Sequence, residues 1–543
     1  MTTNSSKCIA IFAAGNLFNI GGIQRSYSLL TKHLVNSGHR VILLGWNDSG
    51  DSRDKLAYPI DEQVEVLFIP QGRSTKNLRR IVQLLSPYPL DVILIVNSGY
   101  QALYLSMIAL ELDTPYVVSL RGSMEYCLRY LWPTRFTMEL LFQASDAAHV
   151  LMPSYKVFFP PELQQKITVI PSQIEPASDL AQTARPDAKG HYYVLYSGRL
   201  SFEKRVHLLI DAFTRICHQY ENWSVLIVGN GPLKADLVAQ VNASGVPDRF
   251  IFREAKNTEE MYAIYPHAHL KVLPSEQEGC PMALREAMAH GLPVISYAEC
   301  SGANEIISDG LDGLLISDQP DRVTSLSEAL TRLMSNPDLR VALGNAAINT
   351  AARYVPDPIN RDWEKLLVNA CQPGRLGHEM SASVVESRQR SRAVLRHFLA
   401  ADDYSPPCQF KMDEALLVKK IFSYALLYGK NLFNTKAYLE AYFDVKVSGE
   451  DPLLHYLTVG HRLGHNPSPL FDTRQYRKKY MLGLSEDMDP LSHYYLSGRF
   501  EGARPIPVEG GDLENISDVN ALQSDDEIAS ILLEDLHSLR LSD

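Results

Sequence analysis

Along the first 370 positions, short β-rich apolar runs alternate with stretches of helical period, the pattern that builds parallel α/β sheets. A first series of runs covers Cys8–Ala13, Arg40–Leu44, Val64–Ile69, Val92–Val96, Tyr116–Ser119, Ala148–Met152 and Ile167–Ile170. A second covers Tyr193–Ser197, Ser224–Val228, Phe250–Arg253, Leu270–Leu273, Pro293–Ser296 and Gly313–Ile316. Between them Pro171–Lys189, rich in Pro, Ala, Ser and Asp, reads as a linker. The pattern predicts two doubly wound domains, residues 1–180 and 181–354, facing each other across a cleft, with ligands outside the carboxyl ends of the strands. A helix over 355–371, with Trp363 on the apolar face of Asn360–Val368, is expected to close the pair.

Beyond this unit the period changes. Residues 372–432 read as a helical linker with Arg388, Arg390, Arg392 and Arg396 clustered on its first segment. A solvated face is the expectation, and contact with an anionic membrane the alternative. Residues 433–507 hold two 38-residue units. Phe433-Asn434-Thr435 recurs as Phe471-Asp472-Thr473, Tyr438 and Tyr442 as Tyr476 and Tyr480, and Asp451-Pro452-Leu453 with His455-Tyr456 as Asp489-Pro490-Leu491 with His493-Tyr494. Gly460, Gly464 and Pro467 recur as Gly498, Gly502 and Pro505. Each unit reads as two short helices. Its aromatics are expected to be core, with a sugar-stacking platform as the alternative, and His455 and His493 to be packing residues rather than metal ligands. The stretch 508–543 reads as an acidic, disordered tail, with helical apolar spacing confined to Glu527–Leu541.

Charge sharpens this division. The net charge is −11, yet residues 509–543 alone carry ten acidic residues against one Arg. The remainder is nearly neutral, so no basic field for nucleic acid exists. The seven scattered cysteines, Cys8, Cys127, Cys217, Cys280, Cys300, Cys371 and Cys408, include no C-x-x-C pair, which argues for free thiols in a reducing cytoplasm. No apolar run approaches the ~20 residues of a membrane span, and Met1–Lys7 lacks a signal-peptide core.

The candidate chemistry concentrates in Ser275–Leu292. Glu278 and Glu286 stand eight positions apart around a Gly279-Cys280-Pro281 turn that opens a helix. A helix start presents free N–H groups and the positive end of a dipole, which suits a phosphate. Carboxylates on either side can accept from the hydroxyls of a ribose and a sugar. The bland reading is an amphipathic helix exposing Arg285 and Glu286, which explains neither the turn nor the second glutamate. Ser197-Gly198-Arg199-Leu200 ends a strand, and Glu203-Lys204-Arg205 is expected to open the next helix. Arg199 and Lys204 can both reach a diphosphate and stabilise charge that builds as it leaves. The alternative is solvated strand-end charges. Gly21-Gly22-Ile23-Gln24-Arg25 follows the first strand, where glycines let backbone approach a phosphate, but it is no G-x-G-x-x-G fingerprint. Gly229-Asn230-Gly231-Pro232 lines the nucleotide side or is only a tight turn. Gly302 with Glu305 opens another helix near the cleft or merely caps it, and His39 after Gly38 is structural.

These motifs together resemble the retaining glycosyltransferases of family 4, with the two-Rossmann-domain GT-B architecture. The matching stretches are G-G-I-Q-R with G-H-R-V, I-T-V-I-P, S-G-R-L-S-F-E-K-R, V-G-N-G-P-L, E-G-C-P-M-A-L-R-E-A-M-A-H-G-L-P-V-I and E-I-I-S-D-G-L-D-G-L-L, within residues 8–370. The resemblance implies a nucleoside-diphosphate sugar donor, usually a UDP-sugar, bound by residues 190–350, and a glycan or lipid-linked acceptor in the first domain. It implies that Arg199 and Lys204 bind the diphosphate, Glu286 the ribose and Glu278 the transferred sugar. Gly198, Gly279, Cys280, Pro281 and Met282 would line the donor site, and Gly22 would face the phosphates from the other domain. It implies no metal and no cofactor, the nucleotide-sugar being a substrate. The repeats resemble units appended to some bacterial surface-polysaccharide transferases. A cytoplasmic enzyme, peripheral at the inner membrane face, with a protein partner for the repeats or tail, is the corresponding expectation.

Two positions depart from the family pattern. Arg121 follows the strand ending Val117-Val118-Ser119-Leu120, where many members place a histidine. A guanidinium cannot act as a base at neutral pH, though it can contact phosphate or acceptor hydroxyls. Ser172-Gln173 stands where Asn-Gly is usual, and is expected to reshape the cleft. These departures keep two rivals in view: a catalytically silent GT-B shell that binds through its repeats and tail, and a nucleotide-sugar epimerase.

Overall fold

A computed structural model of the chain describes residues 6–13, 17–18, 21–46, 53–69, 75–96, 100–124, 127, 135–255, 257–371, 384–385, 388–389, 391–392, 395, 432–442, 445, 452–482, 484, 488–495 and 503–508. Its strands are β1 (Cys8–Phe12), β2 (Arg40–Trp46), β3 (Glu65–Ile69), β4 (Val92–Val96), β5 (Tyr116–Ser119), β6 (Ala147–Val150) and β7 (Ile167–Val169), followed by β8 (Tyr192–Ser197), β9 (Trp223–Val228), β10 (Phe250–Arg253), β11 (Leu270–Leu273), β12 (Val294–Tyr297) and β13 (Gly313–Ile316). β1 and β4 are buried at every position. A parallel strand covered by helices on both faces cannot alternate apolar with polar, so it reads as a continuous apolar run.

The first seven strands form one sheet in the order β3-β2-β1-β4-β5-β6-β7, and the other six a second sheet in the order β10-β9-β8-β11-β12-β13. All the pairings are parallel. In each sheet the order reverses beside its first strand, between β1 and β4 and between β8 and β11. Such switch points leave a crevice at the carboxyl ends of the strands. The loops leaving β1, β8 and β11 carry the glycine, Arg199 and Glu278 motifs respectively.

The chain crosses from β7 to β8 through 170–191, without helix or strand. At Ser172-Gln173 the crossing segment forms a clamp. Buried Gln173 accepts from the Ser26 hydroxyl (2.9 Å) and donates to the Ser26 carbonyl and the Asn360 side chain (both 3.1 Å). The Ser172 carbonyl accepts from Arg285 of the second domain. Helix Pro356–Ala370 then returns to the first domain and packs on helix Gly22–Asn36, β4 and β5. Trp363 is fully buried there among Ile9, Leu34 and Leu94, a site where truncation to alanine costs about 3–5 kcal/mol. His39 is fixed by the Lys7 amide at Nδ1 and lies by Glu364 at Nε2 (3.1 and 3.3 Å).

Two arginines of the cluster do not belong to the solvated face expected. Arg388 and Arg392 reach Asp146, just before β6, at 3.1 and 2.5 Å, and Arg392 Nε donates to the Ala144 carbonyl (2.8 Å). Val384 and Leu395 are buried alongside. Guanidinium groups spent on a buried carboxylate are not available to a membrane. Arg390 and Arg396 lie outside the described residues.

In the repeats the Tyr438 hydroxyl meets His455 Nδ1 at 2.9 Å, and 38 positions on Tyr476 meets His493 Nδ1 at 3.2 Å. Tyr438, Tyr456, Phe471 and Tyr476 are buried, so these aromatics are core and their histidines pack with them. Asn434 and Asp472 cap the first helices by accepting from Ala437 and Gln475 amides. The Asn434 amide donates to the Pro467 carbonyl (3.0 Å) and the Asp472 amide to the Ile506 carbonyl (2.6 Å), closing the start of each unit on its own end. Asp451, Gly498, Gly502, Cys408 and the tail from 509 lie outside the described residues. Among the described residues no helix is long and apolar enough to cross a membrane.

Candidate active site

The two switch points face one another across a cavity of about 860 Å³ lined by both domains. Its second-domain wall begins at helix Met282–Ala289, entered from Pro281 in extended conformation (φ −64°, ψ 109°). The first-turn amides of such a helix have no acceptor within it, and Met282 and Ala283 of that turn line the cavity. Gly279 is required by the opposite domain: a Cβ there would come within 2.9 Å of the Arg121 carbonyl. Gly22 meets the same helix from the first domain, where a Cβ would lie 2.8 Å from Met282 Sδ.

Glu286 and Arg285 are both buried, which removes the reading of a surface-biased helix. Glu286 Oε2 accepts from the Tyr265 hydroxyl at 2.9 Å, and Oε1 pairs with Arg25 of the facing domain. Arg25 also reaches Glu175 at 2.6 Å and Tyr262 at 3.0 Å. Burial opposes its charge, but Glu286 and Tyr262 outweigh burial and push the guanidinium above its usual range. Burial, reinforced by Glu286, pushes the Tyr262 phenol up to about 12.

Glu278 Oε1 accepts from Lys204 Nζ and from the Ser275 hydroxyl, each at 2.7 Å. Lys204 comes from a 3-10 turn, Phe202–Lys204, rather than the helix expected there. Arg205 then takes a left-handed conformation (φ 47°) and helix Val206–Ile216 begins. Arg199 is exposed on the cavity wall, and no ion pair holds it among the described residues. Gly198 and Gly229 cross with φ of 154° and 153°, and a Cβ at Gly229 would fall 1.9 Å from the Gly198 carbonyl oxygen. The Gly229-Asn230 turn thus both supports the Arg199 loop and lines the cavity.

Arg121 lines the first-domain wall with Nη1 3.4 Å from the Ser26 hydroxyl and its guanidinium over Trp363. Its Nε and Nη2 are buried and have no hydrogen-bond partner among the described residues. Burial pushes its pKa down. Behind it His149 lies between Ser119 and the Ile170 carbonyl (2.9 and 2.7 Å), and burial, then Arg121, hold it well below the usual histidine range. Cys280 and Pro281 line the cavity beside it. The region of Gly302 and Glu305 departs from expectation: residues 301–306 form turns, not a helix, and Glu305 reaches the Ser154 amide (3.2 Å) across the domain gap rather than the cavity.

Sequence reasoning missed three participants. Arg25 was present in the glycine motif but carried no role. Tyr265 sits in a 3-10 turn without a distinctive pattern. Lys271 is fully buried at the second position of β11, below the two glutamates. Its Nζ donates to the Ser197 hydroxyl (2.7 Å) and carbonyl (3.1 Å). Burial pushes it down to about 7; Glu286 and Glu278 oppose the shift and Lys204 adds to it. A charge inside an otherwise apolar central-strand run was the available signal. Among the described residues no group of three His, Cys, Asp or Glu side chains is placed to hold a metal ion.

Comparison with known proteins agrees with this architecture. Residues 181–350 match the family model described as glycosyl transferases group 1, and residues 20–158 the model for glycosyltransferase family 4. An amylovoran biosynthesis glycosyltransferase of Erwinia amylovora is 26% identical, over 64% of this chain and 96% of its own length. A Campylobacter jejuni α-1,4-N-acetyl-D-galactosaminyltransferase, named for an undecaprenol-linked substrate, is 24% identical over 64% and 95%. An exopolysaccharide phosphotransferase of Streptomyces coelicolor is 34% identical over 170 residues, but that match spans only 31% of this chain and 18% of the relative. The solved structure of Anabaena HepE in complex with UDP superposes with a TM-score of 0.54 at 15% identity, covering 67% of this chain and all of that one. Two family models that tile both domains, full-length relatives and a shared two-sheet fold place the chain in the family 4 glycosyltransferases of GT-B architecture.

Proposed function

We propose that this protein transfers a sugar from a nucleoside-diphosphate sugar, a UDP-sugar in the first instance, to a glycan or lipid-linked acceptor with retention of anomeric configuration. The observation that carries the reading is the convergence of Arg199, Lys204 and the start of helix Met282–Ala289 on one cavity with Glu278 and Glu286. That set suits a ligand anionic in the middle and rich in hydroxyls at both ends. The Erwinia and Campylobacter relatives support the acceptor class by their names, and the UDP held by the Anabaena structure supports the nucleotide.

In this reading the bond from the anomeric carbon to the diphosphate oxygen breaks, and its electron pair passes to the diphosphate. Arg199, Lys204 and the helix amides stabilise that charge more in the transition state than in the bound donor. The acceptor oxygen bonds to the anomeric carbon on the face the diphosphate leaves, and its proton passes to the departing diphosphate. Glu278 is engaged by Lys204 and Ser275, which suits a role in orienting the cation and a sugar hydroxyl rather than covalent attack. Glu286 is held by Arg25 and Tyr265, and ribose hydroxyls would share or replace the Arg25 contact. No resident metal is required, so turnover is expected to survive chelation.

The test is incubation of the full chain with a panel of nucleotide-sugars and an undecaprenyl-linked glycan extract. The expected result is free nucleoside diphosphate released only when acceptor is present, with an α-linked product from an α-linked donor by NMR. Interconversion of the donor without acceptor would support an epimerase, and no donor binding a silent shell.

A further inference from the structure

Among the described residues the buried lysine of β11 has no carboxylate paired with it. The carboxylates near it are committed elsewhere, Glu278 to Lys204 and Glu286 to Arg25. No ion pair joins Lys271 to either, and among the described residues its Nζ rests on the two oxygen atoms of Ser197 and above the Tyr196 ring (5.3 Å). An ammonium withdrawn from water loses several kcal/mol of hydration unless a counter-charge restores it. Here no side chain supplies that charge in full.

What the lysine holds explains its place. Ser197 is the last residue of β8, immediately before Gly198 and Arg199. Its hydroxyl also meets the Tyr265 hydroxyl (3.4 Å), which donates to Glu286 (2.9 Å), which pairs with Arg25. One polar chain therefore runs from Lys271 through Ser197 and Tyr265 to Glu286 and across the domain gap. Ser197, Tyr265 and Glu286 all line the cavity, while Lys271 lies behind them. An anion at the Gly198–Arg199 turn would approach the ammonium from the other side of Ser197.

We propose that Lys271 is a positioning residue and a buried counter-charge for the diphosphate, acting through Ser197, and that nucleoside diphosphate binding completes its charge balance. The inference rests on the donor site described above and adds a third cation that makes no direct contact with the ligand. The groups that face Lys271 are Glu286 from the helix Met282–Ala289, Glu278 and Lys204 from the two flanking loops, and Tyr196 and Ser197 from β8. With Nζ poised near 7 in the free protein, the negative charge of the ligand raises its proton affinity. Binding then takes up a proton, and affinity falls as pH rises above about 7.

Calorimetric titration with UDP at pH 8, in buffers of differing ionisation enthalpy, tests this in the full-length wild type and Lys271→Met. Wild type is expected to show net proton uptake that the variant lacks. At pH 7 the variant is expected to bind UDP roughly tenfold more weakly, one pKa unit of linkage, with its melting temperature equal or higher. Proton uptake unchanged in a folded Lys271→Met protein overturns the proposal, as does wild-type binding without uptake. Absence of UDP binding by the wild type instead defeats the donor-site reading. Should Lys271→Met fail to fold, Lys271→Gln serves, with loss of uptake again expected and its persistence overturning the proposal.

Discussion

Two buried lysines, one just before β7 and one inside β11, meet the same physical problem in different ways. Lys166 lies before β7 with its Nζ on the Ser145 and Gln143 carbonyls (2.6 and 2.9 Å), and Lys271 lies under the cleft on Ser197. Burial pushes both down to about 7. Near Lys166 the carboxylate of Asp146 is saturated, by Arg388, Arg392 and the Tyr116 amide, all supplied by the chain itself. Near the cleft the carboxylates are matched by single cations, Arg199 has no ion pair among the described residues, and Lys271 has none. The Asp146 network is closed by the chain's own donors away from the cavity and fastens structure, whereas the Lys271 network opens through Ser197 onto the cavity beside Arg199, where a ligand can join it.

The largest effects expected from this contrast fall on turnover. Arg199→Ala or Lys204→Ala should lower kcat/KM by about 10²–10³ in a coupled diphosphate-release assay, leaving stability within about 0.5 kcal/mol for exposed Arg199. Near-wild-type rates would remove the diphosphate assignment. Asp146→Ala should do the reverse. It strands two arginines against a buried surface and should cost about 3–5 kcal/mol in urea denaturation, while UDP affinity by calorimetry stays unchanged.

A smaller effect concerns pH. Both lysines have folded-state values near 7 against an ordinary 10.5, so between those values the unfolded chain binds more protons. Stability should therefore rise with pH from about 7 to about 10. Lys166→Met and Lys271→Met should each flatten that slope in pH-dependent chemical denaturation, but only Lys271→Met should alter proton uptake with UDP. A slope untouched by either substitution would remove both depressed values. Smallest of all, Ser154→Ala loses one exposed contact to Glu305 and should change the melting temperature by under about 2 °C, less than ~1 kcal/mol.

What was legible in the sequence follows from the physics of each element. The thirteen strands were readable because central parallel strands are apolar throughout, and the glycine and glutamate spacings identified the loops that meet at the cavity. Contacts between distant segments were not readable. Arg25 reaches Glu286 across 261 positions, and nothing local to Gly21–Arg25 announces that partner. The arginines at 388 and 392 carried a pattern compatible with solvent, and only the carboxylate at 146 gave them another purpose. Gln173 departs from the family pattern, yet its role as a clamp depends on Ser26 and Asn360, which no local motif connects. Lys271 was visible as a charge in an apolar run, but its meaning depends on which neighbouring carboxylates are already taken.

The amide of Asn434 closes on Pro467, and that of Asp472 on Ile506. Each 38-residue block is thus stitched shut by its own closing residues, and neighbours meet edge to edge where the Thr473 amide donates to the Asn466 side chain (2.9 Å). A block that closes on itself needs only a matching neighbour, so such an array can lengthen by whole blocks without redesign. Gene duplication in steps of 38 codons would accordingly extend this arm while leaving the sugar-handling lobes untouched.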